Sequence, residues 1–269
     1  MFIKDLYSAV LPVFRGKLSD GRVDVGQIEG TCFSIGKNHM LTAGHVAKTD
    51  PGKGEKLFIG LSDPKAGGLE AAKVIETELL PGDCAILKVE FPSKESQKWV
   101  TELDWHPVPL AYFDHVESLG FPYGIHAVEE RRYVISRTFR GHIVSILNEF
   151  TPIGSYEKSF PVYEVSFGAP RGLSGAPLLT GLDKSSGYEW SAVGLIIGNS
   201  KSGMKVIESE EYSKDSAGET KVSEVYEYLS LGIAVQANHI FEINSRILGS
   251  SIKNYLSANN LFAWPLLPE

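Results

Sequence analysis

The stretch Gly168-Ala169-Pro170-Arg171-Gly172-Leu173-Ser174-Gly175-Ala176-Pro177 sets one serine among glycines, with a proline shortly after it. Glycine lacks a Cβ, so backbone around such a serine can turn sharply and aim its N–H groups at a ligand. A projecting hydroxyl beside converging N–H groups is the equipment of acyl transfer: a nucleophile and a cradle for an oxyanion. Gly-x-Ser-Gly is also an ordinary polar turn, because turns favour the same residue types for steric reasons. A serine hydroxyl attacks poorly until a base takes its proton. The chemical reading therefore requires a histidine, and a carboxylate to orient it.

Among seven histidines, His45 stands apart. It follows His39-Met40-Leu41-Thr42-Ala43-Gly44, whose last three residues are small enough to let a ring lie against backbone. The plainer alternative is a structural histidine at a strand end. Asp83 follows Pro81-Gly82 and opens the apolar run Cys84 to Glu90. A carboxylate at that edge is partly buried and needs a donor, which an imidazole N–H supplies. The alternative is a common turn aspartate.

These residues need strands to hold them. Phe160–Phe167 is β-prone and leads into the serine loop, and Leu178-Leu179 leads out. Residues 30–36 and 39–43 pattern as a hairpin that ends at His45. Residues 6–14 fit a first strand or a short helix, and 17–26 a polar turn region. Further strands are expected over 56–60, 71–75, 84–90, 116–122, 190–197 and 231–235, with two over 132–146 joined near Arg140-Gly141. Residues 199–230 are rich in acids, Ser and Gly. They read either as a long mobile insertion or as a two-strand excursion with a disordered tip. Asn238 is placed to cap a helix over 239–248, with Ile240, Ile243, Ile247 and Leu248 on its apolar face. The tail 261–267 is apolar enough to be expected to pack on its own chain.

Short strands with few helices until the end argue for closed or sandwiched antiparallel sheets. Composition agrees with a globular chain: 269 residues, 43% hydrophobic and 22% charged. The net charge of −7 carries no basic field for nucleic acid or an anionic membrane. Two cysteines, Cys32 and Cys84, make no disulfide framework and no zinc motif. A single bridge between them stays open beside the expectation of two buried thiols. Residues 1–14 lack the features of a signal peptide, and no apolar run is long enough to span a membrane. The expectation is a soluble, cytoplasmic protein that needs no metal and no cofactor.

His45, Asp83 and Ser174 follow one another in the chain order of the chymotrypsin-like fold, not in that of subtilisin or the α/β-hydrolases. Leu41-Thr-Ala-Gly-His45-Val46, Gly82-Asp83-Cys-Ala-Ile-Leu-Lys-Val89 and Gly172-Leu-Ser174-Gly-Ala-Pro177 resemble the three signature blocks of trypsin-like serine peptidases. Ser118–Gly124, Gly141–Ser145, Val193–Ile196 and Leu231–Val235 resemble the bacterial HtrA/Deg type within that group. The resemblance spans roughly residues 25–240. It implies an all-β chain: two six-stranded antiparallel β-barrels with a cleft between them, followed by a C-terminal helix. The division is a first barrel over 1–105, a second over 106–236 that includes the insertion 199–230, and a helix with apolar tail over 237–269. It further implies that His45 is the general base, Asp83 its orienting partner and Ser174 the nucleophile. The N–H groups of Gly172 and Ser174 would form the oxyanion hole. Gly168 matches the base of the primary pocket, with Ala169 beside it. Ile197, Gly198 and Asn199 match the pocket wall and the strand that receives the substrate backbone.

Several positions depart from the family pattern. Leu173 stands where many secreted members carry Asp, which argues against activation by a new N-terminus. Ala176 replaces a glycine. Gly168 and Ala169 supply no acid, so the expected residue before the scissile bond is uncharged, and Asn199 in place of a small residue narrows the pocket mouth. Residues 237–269 leave no room for a PDZ domain, which argues for a stand-alone peptidase or a module of a larger system. The expected activity is that of a serine endopeptidase acting on proteins or peptides, or one latent until a protein partner orders residues 168–176. The alternative is an inactive peptidase-like scaffold or binding module. An α/β-hydrolase is disfavoured, because His239 alone follows the serine.

Overall fold

A single helical turn, α1 (Leu6–Ala9), leads directly into strand β1 (Val10–Ser19), so both readings of the N-terminal segment are realised in succession. The computed structural model describes residues 6–19, 22–48, 54–62, 69–123, 125–128, 131–151, 158–181, 190–207 and 225–263. β1 pairs along its length with β2 (Arg22–Ser34), Ser19 facing Arg22. The polar stretch over 17–26 is therefore mostly hairpin and not turn. Its polar residues are tolerated because ladder hydrogen bonds satisfy the backbone whatever the side chains do.

β2 continues into β3 (His39–Ala43), then β4 (Lys56–Ser62), β5 (Leu69–Leu80) and β6 (Cys84–Glu90). Their order is β1-β2-β3-β6-β5-β4, and β1 pairs with β4 to close the barrel. β3 is buried throughout, and β6 nearly so, in keeping with the apolar stretches Met40-Leu41 and Cys84–Leu87 within them. Cys32 and Cys84 are buried and unbridged. Burial pushes the Cys32 thiol far up from its ordinary value.

After helix α3 (Lys94–Gln97) and the short strand β7 (Asp104–Trp105), a second ring begins. It comprises β8 (His115–Gly120), β11 (Arg137–Phe150), β12 (Phe160–Val165), β13 (Pro177–Gly181), β14 (Trp190–Ile207) and β15 (Val225–Gln236). The order β13-β8-β11-β12-β15-β14 closes through the β13–β14 pairing, and β7 adds in parallel to β14. A hairpin of β9 (Ile125–Val128) and β10 (Arg131–Val134) forms a separate two-stranded sheet. This is the chymotrypsin-like two-barrel architecture.

The expected joint near Arg140-Gly141 is not there. The break falls between β10 and β11, and β11 runs straight through Gly141. A Cβ at Gly141 would sit 2.4 Å from Ser166 Oγ, so this glycine serves a close approach between segments and not a turn. Of the two readings of 199–230, the two-strand excursion is realised, with β14 and β15 paired from Gly194↔Gln236 out to Ile207↔Val225. Residues 208–224 lie outside the described ones.

The expected helix over 239–248 does not form. Helix α4 spans only Ala237–Phe241, with Gln236 and not Asn238 at the N-cap position and no side-chain cap, and α5 spans Ile252–Ala258. The cause is Glu78 on β5. Its carboxylate accepts from Ser245 Oγ at 2.7 Å, Arg246 N at 2.8 Å and Ile247 N at 2.9 Å. Those N–H groups are drawn away from the carbonyls a helix would give them. The segment nonetheless straps the first barrel. Tyr255 Oη lies 2.9 Å from His39 Nδ1, and Ile240, Ile252, Leu256 and Leu261 are buried. The tail joins in as far as it is described: Ala263 N donates to the Trp105 carbonyl, and Phe262 packs edge-on against Phe241.

Candidate active site

Asp83 sits in a tight turn with Gly82 (φ +75°) and is itself left-handed (φ +53°), a region that aspartate tolerates better than most residues. The turn delivers its carboxylate to the end of β3, where the Gly44 N–H donates to the Asp83 carbonyl at 2.6 Å. A Cβ at Gly44 would lie 2.8 Å from Asp83 Oδ1, so only glycine lets the two segments meet this closely. Helix α2 (Gly44–Ala47) starts there and carries His45. Asp83 then holds His45 at two points. Oδ1 accepts the His45 backbone N–H at 2.9 Å, and Oδ2 accepts from ring Nδ1 at 2.6 Å. A proton on Nδ1 leaves Nε2 as the basic nitrogen of the neutral ring. The ring is 45% exposed and the carboxylate 21%, so the pair opens to one side.

The Ser174 loop is built from the second barrel and fastened to the first. Ala169, Leu173 and Ala176 are buried in the second-barrel core. Thr31 of β2, fully buried, reaches across the joint. Its hydroxyl donates to the Gly172 carbonyl at 2.7 Å, and its N–H donates to the Ser174 carbonyl at 2.8 Å. The same hydroxyl accepts from Phe121 N at 3.1 Å, while Thr42 Oγ1 donates to the Thr31 carbonyl at 2.6 Å. Gly175 (φ +86°) has no room for a side chain: a Cβ would fall 2.0 Å from the Thr31 carbonyl and 2.3 Å from Thr42 Oγ1. A Cβ at Gly30 would strike both the Ser174 carbonyl and Val46, the residue after His45. Ser174 thus reaches the rim that carries His45 through shared neighbours. A Ser174–His45 hydrogen bond is not among those of the described residues. Such bonds are commonly long in ligand-free sites and tighten with substrate.

Gly172 (φ +98°) is held from behind, since a Cβ there would lie 2.5 Å from the Phe121 carbonyl. Among the described residues nothing accepts from the N–H groups of Gly172 or Ser174. Two unpaired donors on a braced loop beside a serine can receive a developing negative charge. Leu173 is fully buried, its Cδ1 filling the space where Gly120 has no side chain. Asn199 faces Ala169 and pairs with its backbone N–H and carbonyl, and Gly168 lies between Asn199 and Ser230. Among the described residues no three His, Cys, Asp or Glu side chains converge to hold a metal ion. No helix among the described residues is long and apolar enough to cross a membrane.

Thr31 and the Phe121-Pro122 brace escaped the sequence reading. A threonine in a strand looks like any other β-branched strand residue, and only the closed barrels bring it to Gly172.

A family model described as trypsin-like peptidase domain matches residues 30–185. No curated protein sequence is significantly similar to the chain. Among solved structures, the active form of the Rv3671c protease from M. tuberculosis matches with a TM-score of 0.51 at 18% identity, covering 87% of this chain and 78% of that one. The MamO protease domain from Magnetospirillum magneticum, in its apo form, matches with a TM-score of 0.51 at 15% identity, covering 86% and 92%. The HtrA-type protease AlgW with a decapeptide matches with a TM-score of 0.49 at 13% identity, covering 86% and 61%. At these identities the structural likeness speaks for the fold, and the family rests on the sequence model together with the three signature blocks. The chain belongs to the trypsin-like peptidase domain family.

Proposed function

We propose that the chain is a serine endopeptidase that hydrolyses peptide bonds through His45, Asp83 and Ser174. Ser174 Oγ attacks the scissile carbonyl while His45 Nε2 takes its proton. Asp83 keeps the proton of the resting ring on Nδ1 and stabilises the imidazolium that forms. The carbonyl oxygen, now anionic, is received by the N–H groups of Gly172 and Ser174. His45 returns the proton to the leaving amine, which departs with the C-terminal part of the substrate. Water then attacks the acyl-enzyme with His45 again as base, and the carboxylic acid is released. The substrate is a protein or peptide, and no metal or cofactor takes part.

The observation that carries this reading is the two-point grip of Asp83 on His45 beside a serine loop whose carbonyls are already fastened to Thr31. That fastening, with Leu173 buried beneath the loop, supports activity without a partner over latency, and over a scaffold with a collapsed loop. Beyond Ile196, which pairs with Gly175 and Ala176, no strand among the described residues neighbours β14 on its β13 side, because β13 begins at Pro177. That edge suits an extended peptide added as a strand. A fluorophosphonate probe tests the reading. The wild-type chain should be labelled, and Ser174→Ala and His45→Ala should abolish labelling. A wild type that stays unlabelled alone and with candidate protein partners would overturn it.

A further inference from the structure

Three segments adjoin beside Ser174. One is the loop 168–176, the second is β14 at Ile196–Asn199, and the third is β15 at Ser230–Gly232. Gly175 N donates to the Ile196 carbonyl at 2.7 Å and closes one end. Gly232 N donates to the Phe167 carbonyl at 2.8 Å and closes the base. Asn199 spans the remaining side. Its Oδ1 accepts from Ala169 N at 2.5 Å, and its Nδ2 donates to the Ala169 carbonyl at 2.8 Å. The side-chain amide thereby pairs with both backbone polar groups of one residue, as a neighbouring strand would. The floor is shallow as well. A Cβ at Gly168 would lie 3.3 Å from Ser230 Oγ and 3.7 Å from Asn199 Oδ1. Gly198 leaves open space, with no atom of the described residues within 4 Å of its Cβ position, so a side chain can enter the mouth but meets the amide bridge below it.

We propose that Asn199 is the specificity-determining residue of this pocket. Its bridge to Ala169 restricts the residue before the scissile bond to small, uncharged side chains: glycine, alanine or serine. The inference rests on the serine-peptidase reading for what the pocket is used for. A larger side chain must either stop at the bridge or break both bonds, and breaking them takes the Asn199 partner from both the N–H and the carbonyl of Ala169, itself 5% exposed. A basic side chain finds no carboxylate among Gly168, Ala169, Ile197, Gly198, Asn199 and Ser230. A pocket of this kind discriminates by size and not by charge.

The test separates pocket from chemistry. N-acetylated Ala-Ala-Pro-X peptides with a free carboxylate, X being Ala, Leu, Phe or Lys, are titrated calorimetrically against the Ser174→Ala protein, which cannot turn them over. The alanine peptide should bind at least about tenfold more tightly than the phenylalanine or lysine peptide. Adding Asn199→Gly should reverse the alanine–phenylalanine order, and Asn199→Ala, which restrains the backbone more, should move it the same way. The inference is overturned if the phenylalanine or leucine peptide binds the parent as tightly as the alanine peptide. It is also overturned if a folded Asn199 variant leaves the ratio unchanged, or if no peptide binds at all. Fluorophosphonate labelling of the wild-type chain reports on the serine chemistry alone. Labelling with the wrong peptide order sinks only the pocket inference, and the right order without labelling sinks only the peptidase reading.

Discussion

Thr31 Oγ1 donates to the Gly172 carbonyl across the joint between the two barrels, at 2.7 Å and fully buried. Through this bond a residue of the first barrel sets the peptide plane next to one of the two expected oxyanion donors. Thr31→Val keeps the shape but leaves the Gly172 carbonyl and the Phe121 N–H buried without a partner. Each such loss costs about 1–3 kcal/mol. We expect Thr31→Val to slow fluorophosphonate labelling at least about tenfold, and Thr31→Ser, which keeps the hydroxyl, to restore it. Equal rates for the two variants at matched stability would show that the hydroxyl does not position the loop.

Gly172→Ala tests the loop from the other side. The position is left-handed at φ +98°, and its Cβ would meet the Phe121 carbonyl at 2.5 Å and Pro122 Cα at 2.9 Å. Backbone has to move, and the Gly172 N–H moves with it. Loss of one oxyanion donor lowers turnover by roughly 10²–10³-fold. The expected outcome is that loss in peptide cleavage with the two-point His45–Asp83 contact intact, read as an unchanged ring-proton signal by NMR.

Asp83→Asn should cost more. The carboxylate accepts from both the backbone and the ring of His45, and the amide can only accept through one atom while its NH₂ opposes a donor. The ring is then biased to the wrong tautomer, for which a loss of roughly 10⁴ in kcat is expected while folding is retained. Active-site kinetics on a chromogenic peptide would measure it, and a loss under tenfold would mean that Asp83 does not orient the base.

How much of this was legible in the sequence divides along a physical line. His45, Asp83 and Ser174 lie in local patterns that announce themselves: small residues before a histidine, Pro-Gly before an aspartate, glycines around a serine. The strands of the first barrel were legible because β3 and β6 are buried and read as apolar runs. The C-terminal helix was not, because an apolar period was overridden by Glu78, far away in the chain, taking the N–H groups of residues 246 and 247. Thr31 was invisible for the same reason. Its partners Gly172 and Phe121 become neighbours only once both rings have closed.

Two histidines should make stability sensitive to mild acid. Burial holds His39 below its ordinary value of 6.5, helped by Lys88 and Lys37 and opposed by Glu76. Burial alone holds His239 below the same value, where its ring stacks on Phe160 and its Nε2 is buried beside Gly82 without a partner among the described residues. Groups lowered in the folded state bind fewer protons there than in the unfolded chain, so stability rises with pH through this range. It should be flat above the ordinary value and fall as pH drops below it toward the lowered one. Urea midpoints measured from about pH 8 to about pH 5 should decline, and the decline should shrink in His39→Gln/His239→Gln. An identical pH slope in that double variant would remove both histidines from the account.

Glu78 should hold the C-terminal strap in a way that Glu76 does not. Burial by itself would raise the Glu78 carboxyl, but Ile247 N, Ser245 Oγ and Arg246 N donate to it and hold it below its ordinary value. A carboxylate lowered on folding stabilises above its unfolded value, and that contribution is lost as pH falls through the folded one. Glu76 meets Arg246 in an exposed pair, which is worth at most about 1 kcal/mol. Glu78→Ala should therefore cost about 1.5–3 kcal/mol, since hydrogen bonds to a charged group are the strong ones. It should also raise hydrogen exchange over residues 244–263, whereas Glu76→Gln should leave both unchanged. Equal behaviour of the two variants would mean that the apolar contacts of Ile252, Leu256 and Leu261 hold the strap alone, with the carboxylate a bystander to a turn those contacts already impose.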